Sequence, residues 1–118
     1  MAYKAFELDN MLVSLKPLLQ RRDSIGYIAF RNYQKIENEL KTYTRFKDEL
    51  IRKYGCPNEE DGTYSIKPTD PGFEKFKTEY EQFANIEHSP TLMMMKYEDV
   101  IGDLSGDEML RLAWMLEE

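Results

Sequence analysis

The sequence predicts a mainly helical α+β fold: a long helical hairpin, a small β element and a capped C-terminal helix. Three observations carry this. Ala29, Tyr33, Ile36, Leu40 and Tyr43 step by 4-3-4-3, and Phe46, Leu50 and Tyr54 continue the seam, which is the spacing of one coiled-coil-like helix face. Phe73, Phe76, Tyr80 and Phe83 step by 3-4-3, a matching aromatic stripe that should pack antiparallel on that seam. Between them, Asp61-Gly62 signals a tight turn. The 118 residues suffice for one domain, 1–118. It is organised as a strand and kinked helix (3–22), the hairpin with its β-turn element (24–84), and a strand with the C-terminal helix (86–118). A 42% hydrophobic and 13% aromatic composition is too rich for a disordered chain. No apolar run approaches the ~20 residues of a membrane span.

Taken in order, Tyr3–Leu8 alternates weakly and reads as a short strand, after which Asp9 or Asn10 can cap a helix carrying Met11, Leu12, Leu15, Leu18 and Leu19. Pro17 lacks an N–H and should kink or split that helix. Ser24 can cap the next, an uninterrupted helix of about 30 residues and ~45 Å. Gly55 in the left-handed conformation and then Pro57 would end it. Thr63–Lys67 alternates and Pro68 closes it; Asp70 can cap the aromatic helix with Pro71 at its first position. Thr91–Tyr97, apolar on both faces, reads as a strand buried on two sides or with one face reserved for a partner, although Pro90 interrupts its approach. Ser105 and Glu108 have capping-box spacing, Leu104 and Met109 that of a hydrophobic staple, and the helix they start should run through Trp114 and Leu116.

The residue inventory excludes several chemistries. One Cys and one His, Cys56 and His88, allow neither an intramolecular disulfide nor a Cys/His zinc site. A Cys56–His88 dyad would need an orienting group and an oxyanion hole that no motif announces. No nucleotide-binding glycine loop and no serine-nucleophile motif is present. Aligning Gly62 with the sixth position of a calcium loop puts Pro57 and Pro68 where carboxylates belong, so no metal and no cofactor is expected. The chain therefore reads as a non-enzyme.

Charge is unevenly spread. Residues 1–54 carry 11 Lys and Arg against 7 Asp and Glu, a net of +4, whereas residues 55–118 carry 5 against 15, a net of −10. Basic residues of the long helix are interleaved with acids, and a pI near 4.9 opposes direct binding to phosphate backbones. A dense acidic half can instead occupy a basic protein groove. The candidate partner-binding residues are Glu59, Glu60, Asp61, Glu79, Glu81, Glu98, Asp99 and Asp103. An alternative apolar contact is Met93, Met95 and Tyr97, in a Met-rich segment of the kind that adaptable surfaces use.

The long basic helix ending KDELIRKYG, the acidic turn NEEDGTYSI, the helix FEKFKTEYEQFANIE and the closing DLSGDEMLRLAWMLEE follow one another in an order that resembles small phage and prophage proteins catalogued only as a domain of unknown function. The likeness is one of pattern over most of the chain, from which the Ser89-Pro90 interruption departs. It implies a phage setting and carries over no catalytic residue. With it, the expectation becomes a non-enzymatic phage accessory protein that binds a protein partner, such as a nucleic-acid-binding host protein. An acidic inhibitor of a host defence machine, of the anti-CRISPR kind, fits best. The alternative is a virion-assembly or tail-morphogenesis component that self-associates as a homo-oligomer. No membrane contact is expected. The absence of a basic, apolar leader argues for the (host) cytoplasm.

Overall fold

The computed structural model describes residues 2–118 and has the expected mainly helical α+β architecture, with six α-helices and three two-stranded sheets among those residues. The first strand, β1, is only Tyr3–Lys4, and helix α1 runs over Ala5–Leu15, so Phe6 and Leu8 are helical rather than extended. The correction has a local cause. Glu7 Oε1 accepts the Lys4 N–H at 3.0 Å, and the Ala5 N–H donates to the Ile86 carbonyl at 3.0 Å, so the helix start is satisfied four residues before Asp9. Ala5, Leu8, Met11 and Leu15 then form its buried face. Pro17 splits the helix as expected, and Lys16–Gln20 continues as a 3₁₀ turn that buries Leu18.

The long helix is two helices. Asp23, not Ser24, caps α2 (Ser24–Glu39) by accepting the Gly26 N–H at 3.1 Å, and α3 spans Lys41–Tyr54. They meet at Leu40, whose φ/ψ of −94°/8° leaves the helical region while its side chain is fully buried. The seam survives this bend but serves two partners. Ala29, Ile36 and Leu40 join Leu8, Leu15 and Leu18 of the N-terminal segment in the core. On α3, Tyr43 and Phe46 pack against Phe83 of α4 (Phe73–Ala84), and Tyr43 also packs against Tyr80. At the other end, Lys53 reaches Glu79, and the Gly72 backbone lies against Tyr54. Early α3 thus meets late α4 and the pair is antiparallel, as the aromatic stripe predicts, but α4 partners only the second half of the predicted long helix.

Two boundary residues act differently from their sequence roles. Gly55 is extended (φ −87°, ψ −179°), and a Cβ there would lie 2.5 Å from both the Ile51 and Ser65 carbonyl oxygens. It is needed for close backbone approach between the end of α3 and β3 (Tyr64–Ser65), which pairs antiparallel with β2 (Cys56–Pro57). The α4 helix begins at Phe73 with Gly72 at its cap, while the Asp70 carboxylate accepts the Lys67 N–H at 2.9 Å in the turn before it.

The predicted strand over Thr91–Tyr97 is mostly absent. Short strands β4 (Glu87–His88) and β5 (Met95–Lys96) flank irregular chain, followed by α5 (Tyr97–Val100). Asn32, fully buried on α2, replaces a neighbouring strand: its Oδ1 accepts the Met93 N–H at 2.7 Å and its Nδ2 donates to the Met93 carbonyl at 3.0 Å. Both backbone groups are satisfied by one side chain, so no ladder is needed there. The Ser105–Glu108 capping box forms on α6 (Gly106–Arg111), and Leu104 is buried before it. That helix ends early. Ala113–Met115 is a 3₁₀ turn, and β6 (Leu116–Glu117) pairs in parallel with β5, so Leu116 reaches the core from a strand.

Candidate functional site

The eight acidic candidates do not form one surface. Glu59, Glu60 and Asp61 sit at the tip of the β2–β3 hairpin, beyond the end of α3. The turn is built locally: the Asn58 N–H donates to the Thr63 carbonyl at 2.6 Å, Asn58 Oδ1 accepts the Glu60 N–H, and Gly62 supplies φ +74°. Asp61 accepts both the N–H and the hydroxyl of Thr63, and the hydroxyl bond foremost holds its carboxyl below the usual carboxylate range. All three residues are exposed, and none has an ion-pair partner within 4 Å among the described residues.

Glu98, Asp99 and Asp103 lie at the opposite end of the α2–α3 path. Asp99 lines a groove with Ser24 and Ile28, and Asp103 is tied to Arg21, which donates to its carbonyl at 3.3 Å. Arg21 also binds Asp23 at 2.6 Å; that hydrogen bond raises the guanidinium and lowers the Asp23 carboxyl from their ordinary values. The two helices from Ser24 to Tyr54 amount to ~45 Å of path at 1.5 Å per residue, bent once at Leu40, in a molecule whose longest extent is 49 Å. Glu79 and Glu81 are on α4 between these ends. Glu79 is half-buried beside Lys53, whereas Glu81 is exposed.

Of the alternative apolar set, Met95 is buried and paired with Leu116, Tyr97 packs half-buried against the core, and Met93 is half-buried with its backbone held by Asn32. Cys56 and His88 sit in different sheets, Cys56 opposite Ser65 and His88 opposite Tyr3. His88 Nδ1 is instead 3.0 Å from Glu39 Oε1, linking β4 to the end of α2. No group of three or more His, Cys, Asp or Glu side chains is arranged to hold a metal among the described residues.

Sequence reading missed a polar cluster where α1 meets α3. The Tyr43 and Tyr80 hydroxyls are 2.6 Å apart, Tyr43 lies 3.3 Å from Asp9 Oδ2, and the Lys47 ammonium binds that same oxygen at 2.9 Å. Burial, then the bond with Tyr80, pushes the Tyr43 phenol far above its ordinary range, so it stays protonated and acts only as a hydrogen-bonding group. Beside this cluster a cleft of about 360 Å³ opens between α1 and the α2–α3 bend. The signal for it, Asp9 facing Tyr43 and Lys47 from more than thirty positions away, is long-range and invisible to local periodicity.

Comparison of the chain with protein-family models, curated proteins and solved structures gives no match. Among the described residues, no helix is long and apolar enough to cross a membrane.

Proposed function

We propose that the protein acts without catalysis, by binding another protein through the acidic hairpin tip, and that its partner presents a basic groove built for nucleic acid. The phage-like order of its sequence elements makes an inhibitor of a host defence complex, anti-CRISPR in kind, the preferred reading. The observation that carries it is the placement of Glu59, Glu60 and Asp61 on a short hairpin beyond the α3–α4 pair, exposed and without cationic partners. Negative charge at the end of a 49 Å molecule can enter a groove with little steric conflict, and unpaired carboxylates favour encounter with a basic surface.

The test is partner capture from a bacterial lysate by the full chain and by the triple variant Glu59→Lys, Glu60→Lys, Asp61→Lys, each at low and high salt. A partner retained at low salt by the wild type, and lost both at high salt and with the variant, supports the reading. A partner that the variant retains equally removes the tip from the interface.

A further inference from the structure

Two other surfaces, one exposed and apolar and one a cleft, lie beside different parts of α2. The first is convex. Ile101 is 70% exposed and Leu110 80%, the highest values among the large apolar side chains of the described residues. Ile101 is presented on an anchored turn. Its neighbours Val100 and Leu104 are buried, the Asp103 and Leu104 N–H groups both donate to the Val100 carbonyl at 3.0 Å, and Gly102 supplies φ +90°. Arg21 fixes the same turn through the Asp103 carbonyl. A side chain held out this firmly loses little freedom on binding. Glu98, Asp99, Asp103 and Asp107 surround it in sequence, all exposed; Asp103 lies 4.0 Å from Arg21 and Asp107 3.2 Å from Arg111, which leaves Glu98 and Asp99 without an ion-pair partner among the described residues.

The second surface is the concave cleft at the α2–α3 bend. Leu12, Val13 and Tyr33 supply its apolar lining, and Lys16 and Lys41 flank them without an ion-pair partner within 4 Å among the described residues. Asp9 and Glu37 also line it, but Asp9 is neutralised by Lys47. The charged lining residues sum to zero, and counting Lys47, which lies outside the lining but pairs with Asp9, leaves +1 on a chain of net −6. Its volume of about 360 Å³ admits a branched aliphatic side chain with its backbone.

We propose that the protein self-associates head to tail, the Ile101 turn of one copy entering the cleft of the next, with Asp99 and Asp103 facing Lys16 and Lys41. The occupant is a second copy because every molecule carries both surfaces: an exposed apolar turn flanked by carboxylates, and an apolar cleft flanked by Lys16 and Lys41, with Glu98, Asp99 and both lysines unpaired among the described residues. Within one chain they cannot meet: the turn lies beside Ser24 and the cleft beside Glu37, ~20 Å apart along α2. A contact between two different patches is heterologous and grows into a ring or filament instead of stopping at a dimer. The hairpin tip takes no part in it, so this contact stands or falls separately from partner binding there.

Sedimentation velocity on the full chain, from micromolar concentration to ~1 mM, tests it, since even weak specific contacts are populated at the upper end. The mass should rise past the dimer with concentration and fall back in ~1 M salt, where screening reaches ~3 Å. Ile101→Asp removes the convex side and Val13→Asp the concave side. Each should weaken association at least tenfold and leave the thermal transition unchanged. Mixed together, the two variants retain one working contact and should form a 1:1 dimer and nothing larger. If Val13→Asp unfolds the chain, Lys41→Glu at an exposed helical position takes its place in the mixture. A wild type that stays monomeric up to ~1 mM, an Ile101→Asp variant that associates like wild type, or a mixture that stays monomeric each overturns the proposal.

Discussion

Helices α2 and α3 carry one continuous sequence seam, yet they are held by different forces. The α2 seam meets aliphatic side chains: Ala29, Ile36 and Leu40 are fully buried with Leu8, Leu15 and Leu18. The α3 seam is covered chiefly by the rings of α4, with Asp9 of α1 reaching Tyr43 and Lys47 at its start, and Phe46 remains 41% exposed despite its contact with Phe83. The difference teaches that periodicity identifies a buried face without saying what buries it. Where the partner is a close-packed core, stability scales with volume filled; where it is a single helix, ring geometry and a few polar bonds decide how firmly the element is docked.

The largest expected effect breaks the α2 side. Ile36→Ala should cost about 2–5 kcal/mol, because a fully buried side chain leaves a cavity that surrounding groups fill only in part. A denaturant midpoint within experimental error of wild type would show that α2 does not organise the core. Next is Asn32→Ala, with an expected loss of about 2 kcal/mol, since the Met93 N–H and carbonyl both lose their partner at a part-buried position. Amide exchange at Met93 should accelerate along with the fall in stability. Unchanged protection there would mean that another group holds this segment.

On the α3 side, Tyr43→Phe keeps the ring and removes the hydroxyl that joins Tyr80 and Asp9. It should cost about 1 kcal/mol. Hydrogen exchange should increase in α4 and leave the buried part of α2 as it was. Equal acceleration in both would show that the two regions open as one unit, erasing the distinction between them.

What could be read from the sequence follows the range of the interaction. The Pro17 split, the Asp61-Gly62 turn, the aromatic stripe of α4 and the Ser105 capping box are set within a few residues, and each appears in the structure. The bend at Leu40 has no glycine or proline to announce it; it accompanies the change of packing partner from the core to α4. Asn32 is matched to Met93 across 61 positions, and strands of two residues leave no alternation to detect. The candidate site was legible as composition but not as geometry. A net of −10 over residues 55–118 says nothing about where the fold carries the carboxylates, and they are divided among the β2–β3 hairpin, α4 and the segment beside the start of α2. The exposed Ile101 and Leu110 were hidden for the converse reason, since an apolar residue in a sequence reads as core until a fold leaves it outside.

The smallest effects belong to the α6 cap, where local design was fully legible and its two halves can be separated by pH. Ser105 Oγ accepts the Glu108 N–H at 3.1 Å, and Glu108 Oε1 accepts the Ser105 N–H at 2.9 Å. Ser105→Ala removes the first bond and should cost about 1 kcal/mol, most of it at every pH, because the hydroxyl does not titrate and only its lesser contact with the Glu108 carboxyl follows pH. Glu108→Gln weakens the second bond by removing its charge. The Ser105 backbone bond chiefly, helped by Arg111 and Arg21, holds the Glu108 carboxyl below its ordinary value in the folded protein. A carboxyl so depressed stabilises the fold above its unfolded pKa of ~4.3, and that contribution is lost as pH falls through the lower folded value. The wild type should therefore exceed Glu108→Gln in stability at neutral pH, and the gap should close in acid while the Ser105→Ala gap persists. Denaturant titrations of the three proteins at neutral pH and near pH ~3 measure both gaps. A Glu108→Gln gap that does not narrow in acid would show that the carboxylate acts through its shape and not its charge.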